Sequence, residues 1–128
     1  FYGFENKEPI WGNNFYKALV SSKMGLNLSR GLPTKYYSSN RIASLMGNGL
    51  LTFIDRKTQM NDFFTNNEII FYDNITDLSE KIKFYKQNKK LRIKIARNGK
   101  KKYFELFNEL KTTKYIIDKS LGNKTFSY

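Results

Sequence analysis

Residues 36–54 read YYSSNRIASLMGNGLLTFI. Two serines, an asparagine and an arginine (Ser38 to Arg41) open an apolar pattern of helical spacing. Gly47 and Gly49 close it, and a β-rich run, LLTFI (50–54), follows at once. The spacing predicts a short helix over 39–48, and the almost unbroken apolar run predicts a strand covered on both faces. Such a helix feeding such a strand is half of a βαβ unit. The donor-rich start of the helix has two readings: Ser39 or Asn40 caps it and the arginines lie in solvent, or the cluster receives an anion.

Working outward, residues 14–23 carry Phe15, Ala18, Leu19 and Ser22 at helical spacing, and MGLNLS (24–29) reads as a strand. A loop with Gly31 and Pro33 follows. Beyond the second strand, 55–67 is polar with one helical turn expected near Met60 to Phe64. EIIFYD (68–73) reads as the third strand. Asn74 with Asp77 resembles a capping box, and Leu78, Ile82 and Tyr85 mark a helix face. Leu91, Ile95, Gly99, Tyr103 and Phe107 mark a second, longer helix, and an amphipathic piece covers about 109–120. Strands alternating with helices predict an α/β fold, a Rossmann-like three-layer half-domain with a small parallel sheet of about three strands and C-terminal helices.

The chain has 128 residues, one domain's length, and begins with Phe rather than Met, so it is expected to be a fragment of something longer. It has no Cys and no His, which excludes disulfides, thiolate chemistry and His-based triads. No apolar run approaches the roughly 20 residues of a membrane span, no signal peptide is visible, and a cytoplasmic location is expected. Eighteen of the 23 basic residues are Lys and 14 residues are Asn, a bias that points to an AT-rich coding sequence. The net charge of +12 is uneven: residues 1–79 hold 8 basic and 7 acidic residues, whereas 80–128 hold 15 and 4. The stretch 85–102, YKQNKKLRIKIARNGKKK, has the dense Lys of a nucleic-acid patch. Its apolar residues fall on one stripe, which leaves the lysines on a solvated face, and no known nucleic-acid-binding pattern is present.

In open parallel sheets ligands sit beyond the carboxyl ends of the strands. Of three such ends, the first is richest, with Arg30, Lys35, Ser38, Ser39, Asn40 and Arg41 around one helix start. Asp55, just past the second strand, either holds a sugar or ribose hydroxyl or caps the next turn. GNG (47–49) lacks the spacing of phosphate-cradling motifs and reads as a helix stop.

The stretch SSKMGLNLSRGLPTKYYSSNRIASLMGNGLLTFID (21–55), then NEIIFYDNITDLSEKI (67–82) and LRIKIARNG (91–99), resembles in order the C-terminal part of group 1 type glycosyltransferases, closest to the spore-maturation-protein kind. The similarity covers about residues 14–107. It implies the two-domain GT-B architecture, with this chain as a single domain, part of the C-terminal, donor-binding half, and a basic helical tail over about 75–120. The implied activity is transfer of a sugar from a nucleotide-activated donor to an unknown acceptor, without a metal or other cofactor. The resemblance puts the nucleotide sugar on residues 35–44 and its phosphates at Ser38 to Arg41; with Arg30 from the strand end, the expected donor- and phosphate-binding set is Arg30, Lys35, Tyr37, Ser38, Ser39, Asn40 and Arg41. Many such enzymes carry two Glu residues eight positions apart; here those positions are Tyr36 and Ser44, which with Asp55 remain the candidate sugar or ribose contacts. Alpha-1,3-fucosyltransferases have a similar stretch, matching Tyr37 to Ile42, in which Asn40 replaces the acid. The fragment alone is expected to be inactive, because the acceptor-activating base would lie in the missing N-terminal domain. The alternative is a non-catalytic nucleotide- or nucleic-acid-binding domain using the basic helices, although no specific nucleic acid is expected. A bare first strand and the aromatics Phe1, Tyr2, Phe4 and Trp11 lead to an expected homodimer of the fragment.

Overall fold

The computed structural model describes residues 8–29 and 31–122. Arg30 and the aromatics Phe1, Tyr2 and Phe4, to which site and dimer roles are assigned above, lie outside the described residues.

The first helix, α1, spans Gly12–Ser21 and leads into strand β1, Met24–Asn27. Helix α2, Asn40–Gly47, precedes β2, Leu51–Asp55. Two short 3-10 turns, Arg56–Thr58 and Met60–Asp62, then lead to β3, Ile70–Tyr72. Three helices close the chain: α3 Ile75–Gln87, α4 Lys89–Leu106 and α5 Glu109–Ser120. The sheet is parallel in the order β1-β2-β3, with Leu26 opposite Phe53 and Phe53 opposite Ile70. The fold is therefore the mixed α/β, Rossmann-like half-domain that the alternation of elements implies.

Strand alternation sorts the core into two faces. Leu51 and Phe53 of β2 and Ile70 and Tyr72 of β3 pack with Ile95 and Ala96 of α4 and with Leu78, Ile82 and Tyr85 of α3. Ile54 and Phe71 point the other way, onto Ile42 and Met46 of α2 and onto Met60 and Phe64 from the turn segment. Both crossovers thus lie on one face. Two connections that advance the same way across a parallel sheet with the same hand must do so. The second crossover contains no α-helix; Met60 and Phe64, 2% and 1% exposed, fill the space one would occupy.

Helix α4 serves both faces. Ile95 and Ala96 join the α3 side, while Tyr103 and Leu106 pack on the α2 side. It passes the amino edge of the sheet at Gly99, where a Cβ would stand 2.2 Å from the Glu68 carbonyl oxygen and 3.1 Å from Met46 Cε. Gly25 plays the same part for α2: a Cβ there would lie 2.3 Å from Leu45 Cδ2. Helix α5 buries no side chain among the described residues.

The two outer strands are shorter than their apolar runs suggest, ending at Asn27 rather than Ser29 and starting at Ile70 rather than Glu68. Leu28 and Ser29 leave the ladder to begin the loop into α2. Glu68 instead closes a turn, its carboxylate accepting from the Thr65 N–H and hydroxyl.

Candidate functional site

The carboxyl ends of the three strands bring together Asn27 to Ser29, Asp55 to Lys57 and Tyr72 to Asn74. Two helices start there, α2 and α3, and their chemistry differs.

At α3 the local donors and acceptors satisfy one another. Asn74 caps the helix by accepting from the Asp77 N–H at 3.0 Å. Asp77 accepts from the Asp73 N–H and pairs with Lys81 at 2.9 and 2.7 Å. Its hydrogen bonds from Lys81 and from the Asp73 N–H hold its carboxyl below the usual value. Asp73 in turn pairs with Arg56 at 2.8 Å, tying the end of β3 to the segment after β2. This helix start already carries negative charge and offers no anion site.

Helix α2 has no acidic residue in its first turn. Ser39 is its cap. The Ser39 hydroxyl accepts from the Arg41 N–H at 3.3 Å and from Arg41 Nε at 3.2 Å, and donates to Asn27 Oδ1 at 2.7 Å. With two protons arriving, Ser39 must send its own to Asn27, which fixes the Asn27 amide with its nitrogen turned away. Asn27 is 1% exposed, and that nitrogen, Nδ2, has no partner among the described residues. The hydroxyl of Ser29, two residues along, is also buried and without a partner among the described residues. Native interiors contain few such orphan groups, and each calls for a reason, such as strain, a catalytic role, or a water or ion that satisfies it.

The Arg41 guanidinium is exposed but not free. It folds back over the cap, and Nη2 donates to the Leu28 carbonyl at 2.7 Å. Ser39 therefore caps the helix, as the first reading expects, but the Arg41 side chain does not lie free in solvent: it straps the helix start to the end of β1. Lys35, Ser38 and Asn40 are exposed beside it, and Tyr37 is half-buried, its N–H bonded to the Thr34 carbonyl.

The residues at the expected acidic positions are used structurally. Tyr36 sits at φ 58°, an unusual conformation for an aromatic residue, held by its N–H donating to the Thr58 carbonyl at 2.7 Å. Its hydroxyl donates to Asp62 at 2.7 Å and its ring meets Phe63 edge-on, so it pins the loop before α2 to the turns after β2. Lys35 Nζ lies 4.7 Å from the centre of the same ring. Ser44 is inside α2, its hydroxyl 3.5 Å from the Asn40 carbonyl. Asp55 caps the first 3-10 turn, accepting from the Lys57 N–H at 2.8 Å. Burial, with the Asp55 charge second, raises the pKa of the neighbouring Tyr72 phenol.

The structure thus groups Lys35 to Arg41 at one helix start, leaves Ser44 in the helix body, and sets Asp55 at the end of the next strand. Sequence reasoning passed over Asn27, the residue that organises the cap. Its signal was a lone amide in an otherwise apolar strand, on the face shared with Gly25.

A family model described as glycosyl transferase-like matches residues 2–111. Neither a curated protein nor a solved structure matches the chain. Among the described residues no helix is long and apolar enough to cross a membrane. The matched span takes in the whole sheet, the donor cluster at α2 and all of α4, and on that span the chain belongs to the glycosyl transferase-like family.

Proposed function

We propose that this chain forms the donor-binding side of a GT-B glycosyltransferase and receives the diphosphate of a nucleotide-activated sugar at the start of α2. The observation that carries this reading is the acid-free start of α2 beyond the carboxyl edge of the sheet, with the buried Asn27 Nδ2 and Ser29 hydroxyl beside it unpartnered among the described residues. Helix N–H groups there, with Lys35 and Arg41, would offset charge developing on a leaving diphosphate, so that the step needs no base from this chain. Ser38 and Asn40 supply orientable donors to the same anion. Tyr36 and Asp55, already engaged with Asp62 and Lys57, shape the rim in this reading. The acceptor and its activating base belong to a part of the enzyme outside this chain, and the chain by itself does not turn over.

A titration with a panel of nucleoside diphosphates, followed by backbone amide resonances, tests the reading. Shifts at Asn27, Ser29 and Ser38 to Arg41 that depend on the base are the expected outcome. Shifts confined to residues 85–102 would sink it, because the anion would then be held by the basic helices.

A further inference from the structure

At the opposite, amino edge of the sheet the chain builds a second concave surface. Lys23 stands immediately before β1, fixed by the Leu51 N–H donating to its carbonyl at 3.3 Å, and Gly49 lies just ahead of β2. The first turns of α4 pass in front of both. Between them is a cleft of about 350 Å³ whose lining includes Lys23, Gly49, Lys89, Arg92, Ala96 and Arg97. Four of these are cations, and among the described residues no acidic one lines it. The length of β2, about 3.3 Å for each of its five residues, separates this cleft from the start of α2.

The four cations have no carboxylate partner among the described residues. Arg92 is held in place from one side only. Its Nη1 donates to the carbonyls of Tyr85 at 2.9 Å and Lys86 at 3.2 Å, at the end of α3, and its other donors have no partner among the described residues. Helix α4 contains eight basic residues and one acid, Glu105, which lies eight residues beyond Arg97 toward the other end. Lys89 and Arg92, three residues apart on one helix face, repel each other. Lys23 and Arg97 add like charge to the same cleft, so that gathering the four costs stability in the free protein, and a compact multivalent anion offsets it. Two planar guanidinium forks match phosphate oxygens, and the two lysines add point charge.

From this we infer that the amino-edge cleft is a binding site for a phosphate-bearing anion of the diphosphate class, separate from the α2 site. The inference does not rest on the glycosyltransferase reading, since the two sites occupy opposite ends of the sheet. The phosphate comes either from a free metabolite or from a phospholipid headgroup.

Inorganic pyrophosphate, titrated at constant ionic strength into the 128-residue chain, is the probe. Amide shifts at Lys23, Gly49 and Lys89 to Arg97 are expected. The double variant Lys89→Glu/Arg97→Glu, both exposed positions, should weaken pyrophosphate binding by about tenfold or more. Lys83→Glu/Lys114→Glu makes the same change in net charge elsewhere and should alter it less than about twofold. Equal weakening in the two variants, or no shift at the cleft, overturns the site. Anionic phospholipid vesicles separate the sources. Vesicle binding that pyrophosphate reverses assigns a headgroup, and pyrophosphate binding without vesicle binding assigns a free phosphate; either supports the site. Vesicle or oligonucleotide binding that survives in the cleft variant, with no pyrophosphate binding in the parent, overturns it.

Discussion

Ser39 carries three hydrogen bonds through one hydroxyl, joining the start of α2 to the end of β1. An ordinary cap substitution costs about 1 kcal/mol. Ser39→Ala also strips Asn27 Oδ1 of its donor, leaving a buried amide with no side-chain partner among the described residues, and an orphaned buried polar group adds about 1–3 kcal/mol. Urea unfolding of Ser39→Ala should therefore show a loss of about 2–3 kcal/mol. Adding Asn27→Leu should recover part of it, because two apolar groups facing each other orphan nothing. A double variant less stable than Ser39→Ala would show that the Asn27 amide is satisfied in some other way.

At the scale of elements, two glycines set how closely helices approach the sheet, and they differ in what they face. The place of a Cβ on Gly25 is occupied by the end of the Leu45 side chain, whereas on Gly99 it is occupied by the backbone carbonyl of Glu68. A side chain can turn; the turn that leads into β3 cannot move without shifting the strand. Gly25→Ala should cost about 1–3 kcal/mol, in the usual range of overpacking, and Gly99→Ala should exceed it. Combining Gly25→Ala with Leu45→Ala should relieve the clash, at the expense of a cavity, so that the double variant loses less than the two single losses added. Thermal unfolding of the four proteins checks this. Equal losses at Gly25 and Gly99 would mean that α4 slides freely past the sheet edge.

Across the whole molecule, pH acts on the core through three phenols. Burial raises the pKa of Tyr72, Tyr85 and Tyr103 above the ordinary 10.0, with Asp55 adding to the effect at Tyr72. These residues bridge β3, α3 and α4 on both faces of the sheet. A raised phenol pKa favours the neutral, folded form. Its stabilising effect is complete below pH 10.0 and is lost as pH rises through the folded values. Asp77 works in the opposite sense: its carboxyl is depressed, so its contribution is present above the ordinary 3.8 and is lost as pH falls through the folded value. Unfolding free energy measured against pH should fall on the alkaline side. Tyr85→Phe, which removes one of the three phenols, should make that fall shallower. An unchanged alkaline slope in Tyr85→Phe would remove this phenol from the explanation.

Much of the fold was legible in the sequence because it rests on local and periodic signals. Helical spacing around Leu19, Ile42 and Ile95, apolar runs at 50–54 and 68–73, and the Gly47–Gly49 stop each report the environment of a single element. Their order implies a parallel sheet, since short crossovers of one hand leave few other arrangements. The cap at Ser39 and the cap at Asn74 were legible for the same reason: the donor and acceptor are two or three residues apart. Contacts between distant residues were not. Asn27 meets Ser39 across the βα loop, Arg41 reaches back to Leu28, and Tyr36 bonds to Asp62, 26 positions away. A hydroxyl or guanidinium can choose among many partners, and only the packing of α2 on β1, permitted by Gly25, selects these. The same holds for the basic residues of α4. Their number and helical phase are properties of the sequence, whereas their convergence with Lys23 and Gly49 on one cleft exists only because α4 crosses the amino edge of the sheet.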